Sequence, residues 1–190
     1  GFNGLNSSLQ PVFMTAAHCA QTYGTVTSTM VFQGPLGSDF IGTEVHQAPV
    51  LTGAACPAGW PSCTYADEMV ATYAAGVDQG FGLVYRTPLN KVLFPPNLNI
   101  TGYWNVTNFI TPVMAGQLVY KTGKTTGTSG GYVQSACVNV PRPTTPGLLC
   151  VASANYFSNT GDSGGPVFIP YDSSQPLTTP RMFGIVTAQA

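Results

Sequence analysis

Charge is what this sequence has least of. Charged residues make up 7% of its 190 positions, where an ordinary globular domain has about a quarter. The six Lys and Arg are scattered and the net charge is −1, so no basic run offers a footprint for nucleic acid or an anionic membrane. Neither partner is expected. Long apolar runs are also missing. Nothing approaches the roughly 18 consecutive apolar residues of a transmembrane helix. Gly1 does not open a signal peptide, so the chain reads as mature or as a fragment. No cysteines stand in a C-x-x-C pair, which argues against a zinc site. No metal and no cofactor are expected. Helical spacing at i, i+3, i+4 and i+7 is nowhere sustained.

Turn formers and short β-like runs are what the chain does have. Its 22 Gly and 16 Pro imply many turns, and 44% hydrophobic residues are enough for a sizeable core. Runs rich in Val, Thr, Tyr and Phe occupy residues 11–14, 25–32, 81–85, 117–120, 131–138, 148–152, 166–169 and 182–186. That spacing predicts an all-β sandwich or barrel. A boundary is expected within 95–116, where Pro95, Pro96 and Pro112 interrupt regular structure. Sequons stand at Asn6, Asn99 and Asn105; they are glycosylation acceptors only in a eukaryotic source, and coincidence explains them as well.

The cysteines are Cys19, Cys56, Cys63, Cys137 and Cys150. Cys56 and Cys63 flank a short Pro- and Gly-containing loop and read as a local bridge. Cys137 and Cys150 each end a β-like run and can bridge those runs. Cys19 is then left over. This pattern suggests a secreted, oxidised protein; the alternative is a set of buried thiols in a reducing compartment.

Two motifs near opposite ends of the chain carry chemistry: Thr15-Ala16-Ala17-His18-Cys19 and Gly161-Asp162-Ser163-Gly164-Gly165-Pro166. A serine hydroxyl is a weak nucleophile until a neighbouring base takes its proton. Histidine suits that task near neutral pH. The bland alternative is a core histidine and a Gly-rich turn. His46, the other histidine, lacks a comparable context and reads as a loop residue. A buried carboxylate is needed to hold the imidazole in one tautomer. The candidates are Asp39, Asp67, Asp78, Asp162, Asp172, Glu44 and Glu68.

With histidine first and serine last, the chain resembles the trypsin/chymotrypsin-like serine endopeptidases. A third segment strengthens the likeness. Gly116-Gln117-Leu118-Val119-Tyr120-Lys121-Thr122-Gly123-Lys124-Thr125-Thr126-Gly127-Thr128 is similar to the G-x-x-V-x-K-x-G-x-T-T-G run of bacterial secreted members. Where several relatives have cysteines flanking this run, Tyr120 and Gly130 stand here, so that bridge is absent.

The resemblance implies two antiparallel six-stranded β-barrels with the catalytic cleft between them. The first barrel would span 1–105, with its first strand lying before Gly1. The second would span 106–190, with its last strands and helix beyond Ala190. Cys19 would pair with a cysteine on that earlier strand. Tyr65-Ala66-Asp67 resembles the family's S/A-D-x-A segment. It makes Asp67 the third triad member beside His18 and Ser163, Asp78 the runner-up, and 66–74 a strand or irregular segment instead of a short helix. Glu68 would face the other way.

The same resemblance assigns the backbone N–H groups of Gly161 and Ser163 to an oxyanion hole. Asp162 is implied to be buried beneath that loop with a positive partner, for which Lys121 is the candidate; a surface lysine on a strand is the alternative. Phe157, six positions before Ser163, would lie at the base of the specificity pocket, with Thr187 on its wall and Val186 where acid-specific members carry histidine. The implied function is peptide-bond hydrolysis through an acyl-enzyme on Ser163. The protein would be a secreted monomer acting on polypeptides with a non-basic residue before the cleaved bond. The alternatives are an inactive binding module on the same fold and, more weakly, an esterase.

Overall fold

The computed structural model describes residues 1–33, 38–89, 95–106, 108–109, 112–169 and 181–187. Among them the regular structure is almost entirely β-strand. The strands are β1 (Phe2–Leu5), β2 (Pro11–Thr15), β3 (Met30–Gln33), β4 (Asp39–Gln47), β5 (Leu51–Thr52), β6 (Ser62–Thr64), β7 (Met69–Tyr73) and β8 (Leu83–Arg86). They continue as β9 (Gly102–Asn105), β10 (Asn108–Phe109), β11 (Leu118–Gly123), β12 (Gly127–Val140), β13 (Gly147–Ala154), β14 (Pro166–Ile169) and β15 (Arg181–Ile185). Single 3₁₀ turns occur at Ala17–Cys19 and Gly53–Ala55.

Two compact units form. The first holds Gly1 with residues 3–81 and 139–151; the second holds Phe2 with residues 82–138 and 152–190. In the first, the main sheet runs β1-β2-β7-β4-β3. β7 is central, with Phe13 of β2 opposite Ala71 on one side and Glu44 of β4 opposite the same Ala71 on the other. The apolar positions of this sheet turn inward: Phe13, Met69 and Ala71 are buried. β6 also pairs in parallel with the start of β13, Cys63 opposite Gly147 and Thr64 opposite Leu148. The second unit carries the neighbouring strands β10-β15-β14-β11-β12. Its core joins Val119, Val133, Val167 and Val186, with Tyr156, Ile169 and Phe183 packed against them.

Residues 82–105 join the second unit, although the sequence expectation groups them with the first barrel. The physical reason is packing. Val84 of β8 is buried with Phe168 and Met182, and Trp104 of β9 packs against Phe168 at 5.9 Å.

Three other departures from expectation have local causes. A strand does precede the T-A-A-H-C segment within the chain: β1 lies beside β2. Its Phe-Asn-Gly-Leu sequence gives no β-pattern to read. Residues 25–29 are not strand. The backbone N–H groups of Thr27 and Thr29 donate to the buried Glu44 carboxylate at 3.1 and 3.0 Å instead of to a ladder. β4 has no sequence expectation behind it, because its inward positions include Glu44 and Gln47, and polar residues break the alternation that marks a strand. Gln47 donates its amide to Glu44, so the two satisfy each other in the interior.

The disulfides follow the expected pattern. Cys56 is bonded to Cys63, and Cys137 and Cys150 are both disulfide-bonded. Cys19 is the free, exposed thiol.

Candidate active site

In the first unit, β2 ends at Thr15 and the chain enters the 3₁₀ turn that carries His18. The turn is docked on Asp67, just before β7. The backbone N–H of Ala17 donates to the Asp67 carbonyl at 3.2 Å, and that of His18 to Oδ1 at 2.9 Å. The imidazole Nδ1 lies 2.7 Å from Oδ2. An ionised carboxylate only accepts, so Nδ1 carries a proton, and in the neutral imidazole Nε2 keeps its lone pair. The Asp67 side chain has no exposed surface, while 27% of the His18 side chain remains exposed. Hydrogen bonding to Asp67, with a further contribution from Cys19, pushes the His18 pKa up to about 9. Burial works against ionisation of Asp67, yet its hydrogen bond to His18 and the charges of His18 and Arg142 hold it below the usual carboxylate value.

Arg142 has no forerunner in the sequence reading. Its Nη2 donates to Asp67 Oδ2 at 3.0 Å, the same oxygen that faces His18. The available signal is its setting. It is one of six basic residues in the chain and stands between Pro141 and Pro143. Tyr23 is a second unforeseen neighbour. Its pKa is raised, first by burial and then by the Asp67 charge. The other candidate carboxylates stand elsewhere. Asp39 and Asp78 are exposed, Glu68 is half-buried, and Glu44 belongs to the network with Thr27, Thr29 and Gln47. His46 is exposed on β4. Asp172 lies outside the described residues.

In the second unit, the Gly161–Pro166 turn leads into β14. Ser163 is half-buried. Gly161 has φ +94° and its α-carbon faces Thr125, so a Cβ there would lie 2.5 Å from Thr125 Oγ1. Only glycine fits that backbone without strain. The backbone N–H groups of Gly161 and Ser163 donate no backbone hydrogen bond among the described residues, whereas those of Asp162, Gly164 and Gly165 are engaged with Asn159, Val186 and Asp162.

Beneath the turn lies a fully enclosed ion pair. Lys121 Nζ donates to Asp162 Oδ2 at 2.7 Å, and neither side chain is exposed. Asp162 Oδ1 accepts the N–H groups of Thr125 and Thr126 at 2.8 and 3.0 Å. Oδ2 also accepts Thr126 Oγ1 at 2.6 Å and the Asn159 N–H at 3.0 Å. Lys121 donates as well to Thr126 Oγ1 and to the Gly127 carbonyl. Gly123 makes this possible, because a Cβ there would sit 2.2 Å from the carboxylate. Burial pulls the Lys121 pKa down against the pull of Asp162. It opposes ionisation of Asp162 too, but Lys121 and the surrounding donors hold that carboxyl below its ordinary value.

Such a pair is costly to break, because one charge is left buried without a partner. Lys121→Met is expected to lower unfolding free energy by about 3–5 kcal/mol, read from urea denaturation. The double variant Lys121→Met/Asp162→Asn is expected to recover part of that loss. A single variant within about 1 kcal/mol of wild type, well below the usual cost of breaking a buried pair, would contradict this view.

Phe157 and Thr187 are both half-buried in the second unit. The Phe157 carbonyl accepts Ser129 Oγ at 2.6 Å. Val186 is buried in the valine cluster. Among the described residues no group of His, Cys, Asp and Glu is arranged to hold a metal ion. No described helix is long and apolar enough to cross a membrane.

Neither a scan of protein-family models nor a search of curated proteins finds a match. Among solved structures, the chain is similar to Thermobifida fusca Protease A, with a TM-score of 0.64 and 23% identity over 99% of this chain and 74% of that one. It is similar to a Nocardiopsis protease, with a TM-score of 0.60 and 23% identity over 97% of this chain and 84% of that one. A glutamic acid specific serine protease, described as using a histidine triad in substrate binding, matches with a TM-score of 0.60 and 17% identity over 97% of this chain and 84% of that one. These likenesses show the fold, which is the all-β, two-barrel fold of bacterial chymotrypsin-like serine proteases.

Proposed function

We propose that this chain, with its chymotrypsin-like fold, is a secreted serine endopeptidase. The observation that carries the reading is the His18–Asp67 pair, in which a buried carboxylate fixes the tautomer that leaves Nε2 basic. The order of events is as follows. His18 Nε2 takes the proton of Ser163 Oγ as that oxygen attacks the scissile carbonyl. The Gly161 and Ser163 N–H groups receive the developing oxyanion. His18 then protonates the leaving amine, and water hydrolyses the acyl-enzyme by the same route in reverse. Donors of this kind are typically worth about 2.7–4 kcal/mol each in the transition state. Asp162 holds the oxyanion turn in place through Lys121, Thr125, Thr126 and Asn159. The bonded cysteines support an oxidising, extracellular setting.

The base must be neutral to act, and His18 is neutral only above its raised pKa. Activity is therefore expected to climb as pH rises through neutrality toward about 9. Substrate preference is expected to be apolar or small. No carboxylate lies between Cys150 and Gly161 to meet a cationic side chain, and the family count would put Phe157 at the pocket base.

A panel of chromogenic peptides differing only before the cleaved bond tests this. Leu or Ala is expected to be cleaved faster than Arg, with kcat/KM rising from neutral to alkaline pH. More than roughly tenfold preference for Arg, beyond what methylene-scale contacts supply, would refute the pocket assignment.

A further inference from the structure

We propose that Arg142 is a positioning residue for the His18–Asp67 pair, delivered by the 139–151 arm to anchor the Asp67 carboxylate and to keep the imidazole less basic than that carboxylate alone would make it. The inference rests on the protease reading above.

The arm is built to hold one guanidinium in one place. Arg142 follows Pro141 and precedes Pro143, so the backbone on both sides is restricted before any tertiary contact forms. The arm's return strand pairs in parallel with β6 three residues ahead of Asp67, Leu148 opposite Thr64. Leu148 is buried there. Gly147 lies directly under Trp60; a Cβ would meet the indole at 2.3 Å. The Asn139 side chain accepts the Cys150 N–H at 3.0 Å, tying the two sides of the arm together. The Arg142 side chain is 12% exposed, so this is not a solvated surface pair.

The geometry sets the electrostatics. His18 Nδ1 and Arg142 Nη2 address the same oxygen, at 2.7 and 3.0 Å. An arginine is a permanent cation, and its planar fork holds a carboxylate in a defined orientation. It therefore restrains rotation of Asp67 and opposes a second positive charge on the imidazole. Among the described residues, the other titratable groups at the pair are the Cys19 thiol beside His18 and the Tyr23 hydroxyl beside Asp67 and Arg142.

The test is an NMR titration of the two histidine side chains in the intact chain, with kcat/KM measured over the same pH range. In Arg142→Gln, His18 is expected to titrate about one pH unit higher than in wild type. The acid limb of kcat/KM is expected to move up with it, lowering kcat/KM about tenfold at neutral pH and recovering at high pH. Arg142→Lys keeps the charge and is expected to titrate close to wild type, with kcat reduced by the looser hold on Asp67. It also serves if the Gln variant does not fold. An unchanged or lowered His18 titration in folded Arg142→Gln, or a full unit of upward shift in Arg142→Lys, would overturn the proposal. The titration does not depend on turnover. Its outcome is thus separate from failure of the protease reading, which would show as an inactive wild type.

Discussion

Ser163→Ala is expected to lower kcat for peptide hydrolysis by roughly 10⁶, close to the loss seen when a triad serine is removed from an unrelated protease. The size follows from the division of labour. Without Oγ no acyl-enzyme forms, and only binding and the oxyanion donors remain. His18→Ala is expected to lose a similar amount, because the two act as a unit and their effects do not add. The fold should survive both changes. Ser163 is half-buried and outside the Asp162–Lys121 network, and His18 retains 27% side-chain exposure. Steady-state kinetics on an oligopeptide, with circular dichroism as the control for folding, measures this. A Ser163→Ala protein with more than a tenth of wild-type activity would contradict the assignment.

Asp67→Asn is expected to lower kcat by about 10⁴ with the fold retained. An asparagine cannot satisfy this site in either orientation. If its oxygen accepts the His18 backbone N–H, its NH₂ group faces Nδ1 and Arg142. The imidazole then shifts its proton to Nε2 and can no longer act as base. If the amide is flipped, its NH₂ group opposes the His18 N–H, now 2.9 Å from Oδ1. The variant also leaves Arg142 without its anion. Asp78→Asn, at an exposed position, is expected to change kcat little. The reverse ranking would transfer the role from Asp67 to Asp78.

The strands at 11–15, 118–123 and 166–169 were legible because β-branched and aromatic residues cluster there between turn formers. β4 was not, because its buried polar residues are satisfied from a distant loop, Glu44 by the N–H groups of Thr27 and Thr29 and Gln47 by Thr22, Gly24 and Thr25. No local pattern encodes that. The grouping of 82–105 with the second unit is equally nonlocal, since it follows from Val84 meeting Phe168 and Met182.

At the site, sequence order and the T-A-A-H-C and G-D-S-G-G-P runs pointed to His18 and Ser163. Resemblance, not spacing, pointed to Asp67 and Lys121. The structure pairs Asp67 with His18 and Lys121 with Asp162. Arg142 escaped because its contact with Asp67 spans 75 positions and depends on an arm whose return strand pairs with β6. A basic residue between two prolines was visible; its partner was not.

The most direct measurement is covalent labelling with a fluorophosphonate, followed by peptide mapping. Labelling requires a nucleophilic serine and its base but no particular peptide sequence. The expected result is one adduct on Ser163, lost in Ser163→Ala and strongly slowed in His18→Ala. A folded wild-type chain that takes no label, or takes it at another residue, or labels at the same rate without His18, would contradict the account.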